Sequence, residues 1–245
     1  MPTNIKLTLS YDGTNYHGWQ IQRDLPTASG TLKEAILKLT GEEVQLIAAS
    51  RTDAGAHALS QVVNFKTSSL LPVSSYPKAL NAHLPQDIVV YAAEEVDGNF
   101  HARFSAKKRI YEYVILNLEY PAPIYRNYAH WVEERLNLKK MKKAIGVFIG
   151  QHDFTSFTSS AGGGKNPIRK IDKISIYEHK DFIRIQIEGD SFLPGMVRTI
   201  VASLIEVGLG RLDPVKVKQI LEARDRALTP PPAPACGLYL AKVKY

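Results

Sequence analysis

Four stretches of the chain alternate apolar and polar residues with a period of two: 5–11, 61–67, 170–177 and 182–188. That period belongs to strands with one buried face. The last two runs flank His179-Lys180-Asp181, which predicts a hairpin. Runs of helical period fall between the strands. Leu32, Ala35, Ile36 and Leu39 share a face, with Thr31 and Glu34 at capping-box spacing and Gly41 as terminator. Further helices are predicted from Ser74 to about His83, after Asn137, from Met196 to Gly208, and after Asp213-Pro214. Strands are predicted near 44–49, over 87–96 and 106–118, at 128–133, and over 237–244 after the proline-rich loop 230–234. No fixed-period repeat is visible. Hairpins with interspersed helices and few βαβ units predict an α+β fold. The natural division falls near residue 104, giving domains 1–104 and 105–245.

The 245 residues are enough for a sizeable core. No run of eighteen apolar residues exists, and the amino terminus carries no charged-then-apolar leader, so a cytoplasmic protein is expected. The one cysteine, Cys236, excludes an internal disulfide and a cysteine-rich metal site. It is expected as a small buried residue. A net charge of +7 favours a polyanionic partner.

Residues 50–58, Ser-Arg-Thr-Asp-Ala-Gly-Ala-His-Ala, lie between an apolar run and an alternating one. Arg51, Asp53 and Gly55 therefore share a tight connection between strands, a setting where rigidly held side chains do chemistry. An aspartate before Ala-Gly also serves simply to shape a turn. Residues 11–23, with their aromatics and amides, either pack a long loop or contact bases and ribose. Lys107, Lys108 and Arg109 lead into Ile110-Tyr111-Glu112-Tyr113. On a strand Arg109, Tyr111 and Tyr113 share one face, which fits either an RNA platform or an amphipathic strand with a solvated rim. Arg198 near the start of helix 196–208 opposes the helix dipole, at a cost of about 0.3–1 kcal/mol. A carboxylate, with Asp53 the candidate, or an anionic ligand would offset it.

Several other motifs fail. Gly162-Gly163-Gly164-Lys165 lacks the leading glycine and the trailing hydroxyl of a phosphate loop. Gly208-Leu209-Gly210 follows a helix and lacks a third glycine. The seven histidines form no helical His-x-x-x-His pair, so no metal is expected. No serine or cysteine sits in a nucleophile elbow.

In order along the chain, these segments resemble the tRNA pseudouridine synthase A family. The likeness rests on Tyr11-Asp12-Gly13-Thr14 with Gly18-Trp19-Gln20, and on Arg51-Thr52-Asp53-Ala54-Gly55 with His57. It continues through Phe100-His101-Ala102-Arg103-Phe104-Ser105, Arg109 with Tyr111 and Tyr113, His152-Asp153-Phe154, Met196-Val197-Arg198 and Gly237-Leu238-Tyr239-Leu240. The resemblance implies two α/β-sandwich domains with mainly antiparallel sheets meeting at a central catalytic cleft. It implies an isomerase that converts uridine to pseudouridine in the tRNA anticodon stem-loop, at positions 38 to 40, with no cofactor. It also implies a homodimer that binds tRNA rather than DNA or membrane. By the same likeness Asp53 is the catalytic aspartate and Tyr111 the active-site tyrosine, while Arg51 and Arg198 line the site. Lys107 and Arg109 join Tyr111 and Arg51 as candidate substrate contacts. The chain departs from the family at Pro194-Gly195, where polar or aromatic residues are usual, and at Thr199, where asparagine is common. A noncatalytic RNA-binding module, or a synthase acting on another RNA, are the competing readings.

Overall fold

The computed structural model describes residues 2–159 and 166–245. The glycine run 162–164 and Lys165 lie outside the described residues. The chain divides into two compact units, Met1–Lys107 with Tyr239–Tyr245, and Lys108–Leu238.

The first unit opens with β1 (Thr3–Tyr11), where Ile5, Leu7, Leu9 and Tyr11 are buried in strict alternation. Helix α1 spans Ala28–Thr40. Its N-cap is Thr27 rather than Thr31. Thr27 has the extended backbone that a cap requires and accepts from the Gly30 N–H, whereas Thr31 is already one turn inside and donates to the Thr27 carbonyl. Gly41 ends the helix at φ 73° and returns its N–H to the Leu37 carbonyl. The predicted strand 44–49 shortens to β2 (Ile47–Ala48), which pairs with β3 (His57–Thr67). Helix α2 (Tyr76–Asn81) and strand β4 (Ile88–Val96) follow. β1 pairs antiparallel with both β3 and β4, so apolar side chains of the sheet centre meet α1 and α2 residues such as Leu32, Ile36, Tyr76 and Leu80 in a closed core.

The second unit holds β5 (Lys108–Asn117), β6 (His130–Val132), α3 (Leu138–Ala144) and β7 (Gly150–Asp153). The predicted hairpin is formed by β8 (Ile168–His179) and β9 (Phe182–Gly189), and Lys180 takes φ 54° at its tip. Helix α4 (Met196–Gly208) is buried around most of its circumference, as its nearly all-apolar sequence requires. Helix α5 (Pro214–Ala223) starts at Asp213, whose carboxylate accepts from the Val215 N–H. Antiparallel pairing runs β5 to β9 to β8 to β7, and β6 joins β5 in parallel.

The last strand, β10 (Leu238–Lys244), pairs in parallel with β3, Tyr239 opposite His57 and Leu240 opposite Ala58. This pairing groups Tyr239–Tyr245 with the first unit, although the sequence division at 104 keeps the whole of 105–245 together. Sheets that are mainly antiparallel, with helices packed on them, make the fold α+β.

Candidate active site

Asp53 lies on the loop between β2 and β3 and is half-buried; Arg51 beside it is exposed. The loop's shape follows from how closely backbone approaches backbone. Gly55 takes φ 77° and donates to the Tyr16 carbonyl, while Ala56 N–H returns to the Asp53 carbonyl at 3.1 Å. The Thr52 carbonyl accepts from Trp19 N–H at 3.1 Å, and the Thr52 hydroxyl sits 2.7 Å from the Tyr11 hydroxyl. Two glycines of the 11–23 run press against this loop. A Cβ on Gly13 would lie 1.9 Å from the Ala56 carbonyl oxygen, and one on Gly18 would lie 2.6 Å from that of Thr52. Gly18 also has φ 85°. The Gly13 N–H donates to Nδ1 of His57, whose ring stacks on Tyr239 at 4.7 Å. Trp19 is buried with its ring 5.8 Å from that of Tyr11. The 11–23 run thus acts as a brace that holds the Asp53 loop. Sequence reasoning missed this role; its visible signal was the pair of glycines flanking so many aromatics.

Tyr111 and Arg198 stand in the second unit. Tyr111 lies on β5, is 5% exposed, and meets Phe192 edge to face at 5.1 Å. Arg109, two residues earlier, is also buried and donates from a terminal guanidinium nitrogen to the Asp190 carbonyl at 2.6 Å. Lys107 is exposed at the end of the first unit, where its N–H donates to the Lys244 carbonyl. Arg198 is the third residue of α4. Its Nε donates to the Ala233 carbonyl at 2.6 Å, and Ala233 N–H donates back to the Arg198 carbonyl. A cation at this end of the helix is therefore held by a backbone oxygen, in addition to any anionic partner.

The strap that carries Ala233 is itself fixed. The Tyr113 hydroxyl, fully buried, donates to the Pro234 carbonyl at 2.8 Å. Gly237 presses so closely on β5 that a Cβ there would come within 2.8 Å of the Tyr113 ring. Burial pushes the Tyr113 hydroxyl well above its ordinary pKa, so it stays a donor. Burial likewise raises the Cys236 thiol, whose Sγ lies 3.7 Å from the Ala129 carbonyl. Tyr113 is thus a second residue that sequence reasoning did not separate from its neighbours on β5. At this same N-terminal end of α4, the Pro194 carbonyl accepts from Ser159 N–H and the Thr158 hydroxyl, and Gly195 caps the helix at φ 70°. Pro194-Gly195 therefore forms a tight turn, and Leu193 before it is buried.

Among the described residues no group of three or more His, Cys, Asp or Glu is arranged to hold a metal. No described helix is long and apolar enough to cross a membrane.

The family model described as tRNA pseudouridine synthase matches residues 8–105 and 144–245. A "tRNA pseudouridine synthase A" of Thermoanaerobacter sp. (strain X514) is 48% identical over 242 residues, covering 99% of each chain. One from Acetivibrio thermocellus is 45% identical with the same coverage. A "tRNA pseudouridine synthase A 2" of Clostridium tetani is 44% identical over the full length of both chains. A chain in a solved Cbf5-Nop10-Gar1 complex overlays with a TM-score of 0.36 at 11% identity, covering 82% of this chain and 53% of its own; so loose a likeness adds nothing. These relatives put the chain among the isomerases. Within that class, it belongs to the tRNA pseudouridine synthase family.

Proposed function

We propose that the protein isomerises uridine to pseudouridine in the anticodon stem-loop of tRNA, at the positions conventionally numbered 38 to 40. Near-complete coverage by relatives named tRNA pseudouridine synthase A carries this reading. The braced Asp53 loop supports it, because a catalytic carboxylate must be held in one place. We take the enzyme to be a homodimer, as the family resemblance implies, and to work in the cytoplasm.

The reaction breaks the C1′–N1 bond, turns the uracil, joins C1′ to C5, and loses the C5 proton while N1 takes one up. Atoms balance without a co-reactant. Asp53 acts at the sugar, where an ionised carboxylate stabilises positive charge developing at C1′. Two routes use it: attack on C1′, or removal of the 2′ proton to give a glycal. A primary isotope effect from 2′-deuterated uridine separates them. Tyr111 stacks on the base. To accept the C5 proton instead, a phenol of ordinary pKa about 10 would need help from a cation, and Arg198 is the candidate. Arg51, exposed on the same loop as Asp53, engages a phosphate or the space left by the extruded base, with Lys107 and Arg109 as further substrate contacts. Extrusion itself costs a few kcal/mol.

The test is to map pseudouridine in tRNA lacking it, before and after exposure to the protein, with tRNA binding measured in parallel. Asp53→Asn and Asp53→Ala are expected to lower turnover by about a thousandfold or more while binding persists. Near-normal turnover in either variant removes Asp53 from the chemistry. Tritium release from 5-tritiated uridine distinguishes the enzyme from an RNA-binding module, and the map of changed uridines identifies the RNA.

A further inference from the structure

Phe104 is 75% exposed, yet the turn that carries it is among the most firmly tied parts of the first unit. The His101 carbonyl accepts from Ser105 N–H at 2.8 Å, and the Ser105 hydroxyl accepts from His101 N–H at 3.1 Å. His101 Nδ1 accepts from the N–H groups of Arg103 and Phe104 at 3.3 and 3.2 Å. Beneath the turn, Ala102 is pinned on both sides. Its N–H donates to the buried Asn64 side chain, and its carbonyl accepts from the Tyr245 hydroxyl, both at 2.8 Å. Asn64 in turn bonds to Asn4, and both amides reach the Phe100 carbonyl. Two buried asparagines spent on one exposed turn fix a surface rather than a core.

What that turn presents is aromatic and cationic. The His101 ring lies 4.3 Å from the Phe104 ring at an interplanar angle of 30°, and the Arg103 guanidinium carbon is 5.5 Å from the Phe104 centroid. Lys107 is exposed three residues on. Beside His101 runs a groove of about 400 Å³, lined by Lys66, Gln45, Asn99 and Glu43 among others. A lone exposed phenylalanine is ordinary. An exposed ring on a backbone tied this firmly, with an imidazole tilted against it and a guanidinium over it, offers a flat π-system that carries negative charge both a ring and a cation.

We propose that His101, Arg103 and Phe104 form a stacking platform for an unpaired nucleotide of the bound tRNA, separate from the nucleotide that reacts. The base lies on Phe104, and Arg103 and Lys107 face its phosphates. An RNA strand fits this surface better than a second copy of the chain does. The exposed side chains next to Phe104 in the chain, Arg103, Ser105 and Lys107, are two cations and a small polar group, whereas the centre of a protein interface is apolar and depleted of lysine. The proposal rests on tRNA being the substrate, as argued above.

The experiment uses the full chain and an unmodified tRNA transcript. Phe104→Ala is expected to weaken tRNA binding about tenfold, with unchanged turnover at saturating tRNA and an unchanged melting temperature. Phe104→Trp is expected to keep parental affinity, and the added indole is expected to lose emission when tRNA is added, beyond the change shown by the parent's own two tryptophans. Affinity within twofold of the parent in Phe104→Ala overturns the proposal. So does an unquenched indole in Phe104→Trp. A fall in mass by sedimentation in Phe104→Ala also overturns it, and assigns the surface to a second copy. A parent that binds tRNA through Phe104 but forms no pseudouridine refutes the function proposed above and leaves the platform standing.

Discussion

The loop of Asp53 and the start of α4 are both held rigid, but by different means. Around Asp53 the restraint is contact between backbones. The atoms that crowd Gly13 and Gly18 are the Ala56 and Thr52 carbonyl oxygens, which belong to the loop itself. Around Arg198 the restraint is a set of hydrogen bonds. Ala233 grips the arginine at both its side chain and its backbone, Tyr113 grips Pro234, and Gly195 crowds Ser159, chiefly its side chain. Hydrogen bonds tolerate loss one at a time, each contributing about 1 kcal/mol net. Backbone packed to contact does not, because nothing in it can rotate away. The carboxylate loop is therefore the brittle part of the molecule and the arginine helix the adjustable one.

The sharpest way to break this contrast is Gly13→Ala. One methyl group would have to displace the Ala56 carbonyl, because it would otherwise sit 1.9 Å away. Ala56 N–H bonds to the Asp53 carbonyl, so the displacement passes to the backbone that carries the carboxylate. With Asp53 as the proposed catalytic group, turnover is expected to fall about a hundredfold, the cost of moving such a group by an ångström. Stability is expected to fall by about 1–3 kcal/mol. Urea melts and single-turnover pseudouridine assays measure the two effects. Unchanged turnover would show that the loop yields, and the contrast would be lost.

Tyr113→Phe tests the other side. It removes the bond to Pro234 and leaves that carbonyl without the phenol donor, while the ring still packs against Gly237. About 1–2 kcal/mol of stability is expected to go. Turnover is expected to fall only several-fold, because Ala233 still holds Arg198. A loss as large as that of Gly13→Ala would mean that the strap, rather than Ala233 alone, aims the arginine.

The sequence made one of these regions far more readable than the other. Alternation in 5–11, 170–177 and 182–188 located β1, β8 and β9, because half-buried strands leave a period of two, whereas β3, read from 61–67, is buried on both faces over residues 61–65. Asn137 and Asp213 were legible as caps because capping is local chemistry. Thr27 was not, since Thr31 with Glu34 offers the same spacing and only backbone geometry decides between them. The run 50–58, where the chemistry is proposed to lie, stands out as a motif. Its brace does not, since the approach of Gly13 to Ala56 joins residues 43 positions apart and leaves no periodic trace. The strap at 233–237 read as a proline-rich loop for the same reason. The parallel pairing of β10 with β3 links the last strand to an early one, and no local pattern announces it.

The smallest expected effect concerns a contact that neither restraint uses. Asp172 is the extra residue of a bulge in β8, where the register on β9 slips between Ile171 and Lys173. The bulge turns its carboxylate toward Lys108 at the start of β5. The hydrogen bond from Lys108, helped by the charge of Lys170, holds the Asp172 carboxyl below its ordinary pKa. A depressed carboxylate contributes stability above its unfolded pKa, about 3.9, and that contribution disappears as pH falls through the lower folded value. Lys108→Met is therefore expected to cost about 0.5–1 kcal/mol at pH 7, discounted for the partial exposure of both groups. The gap from the parent is expected to narrow steadily below pH 4 as Asp172 is neutralised in both proteins. Urea melts from pH 7 down to pH 3 read this directly. Since Lys108 opens the strand that carries Tyr111, turnover is measured in the same samples. A turnover loss that persists in acid, where the stability gap has closed, would show that the ion pair also sets the register of the tyrosine, and would extend the adjustable region from α4 to β5.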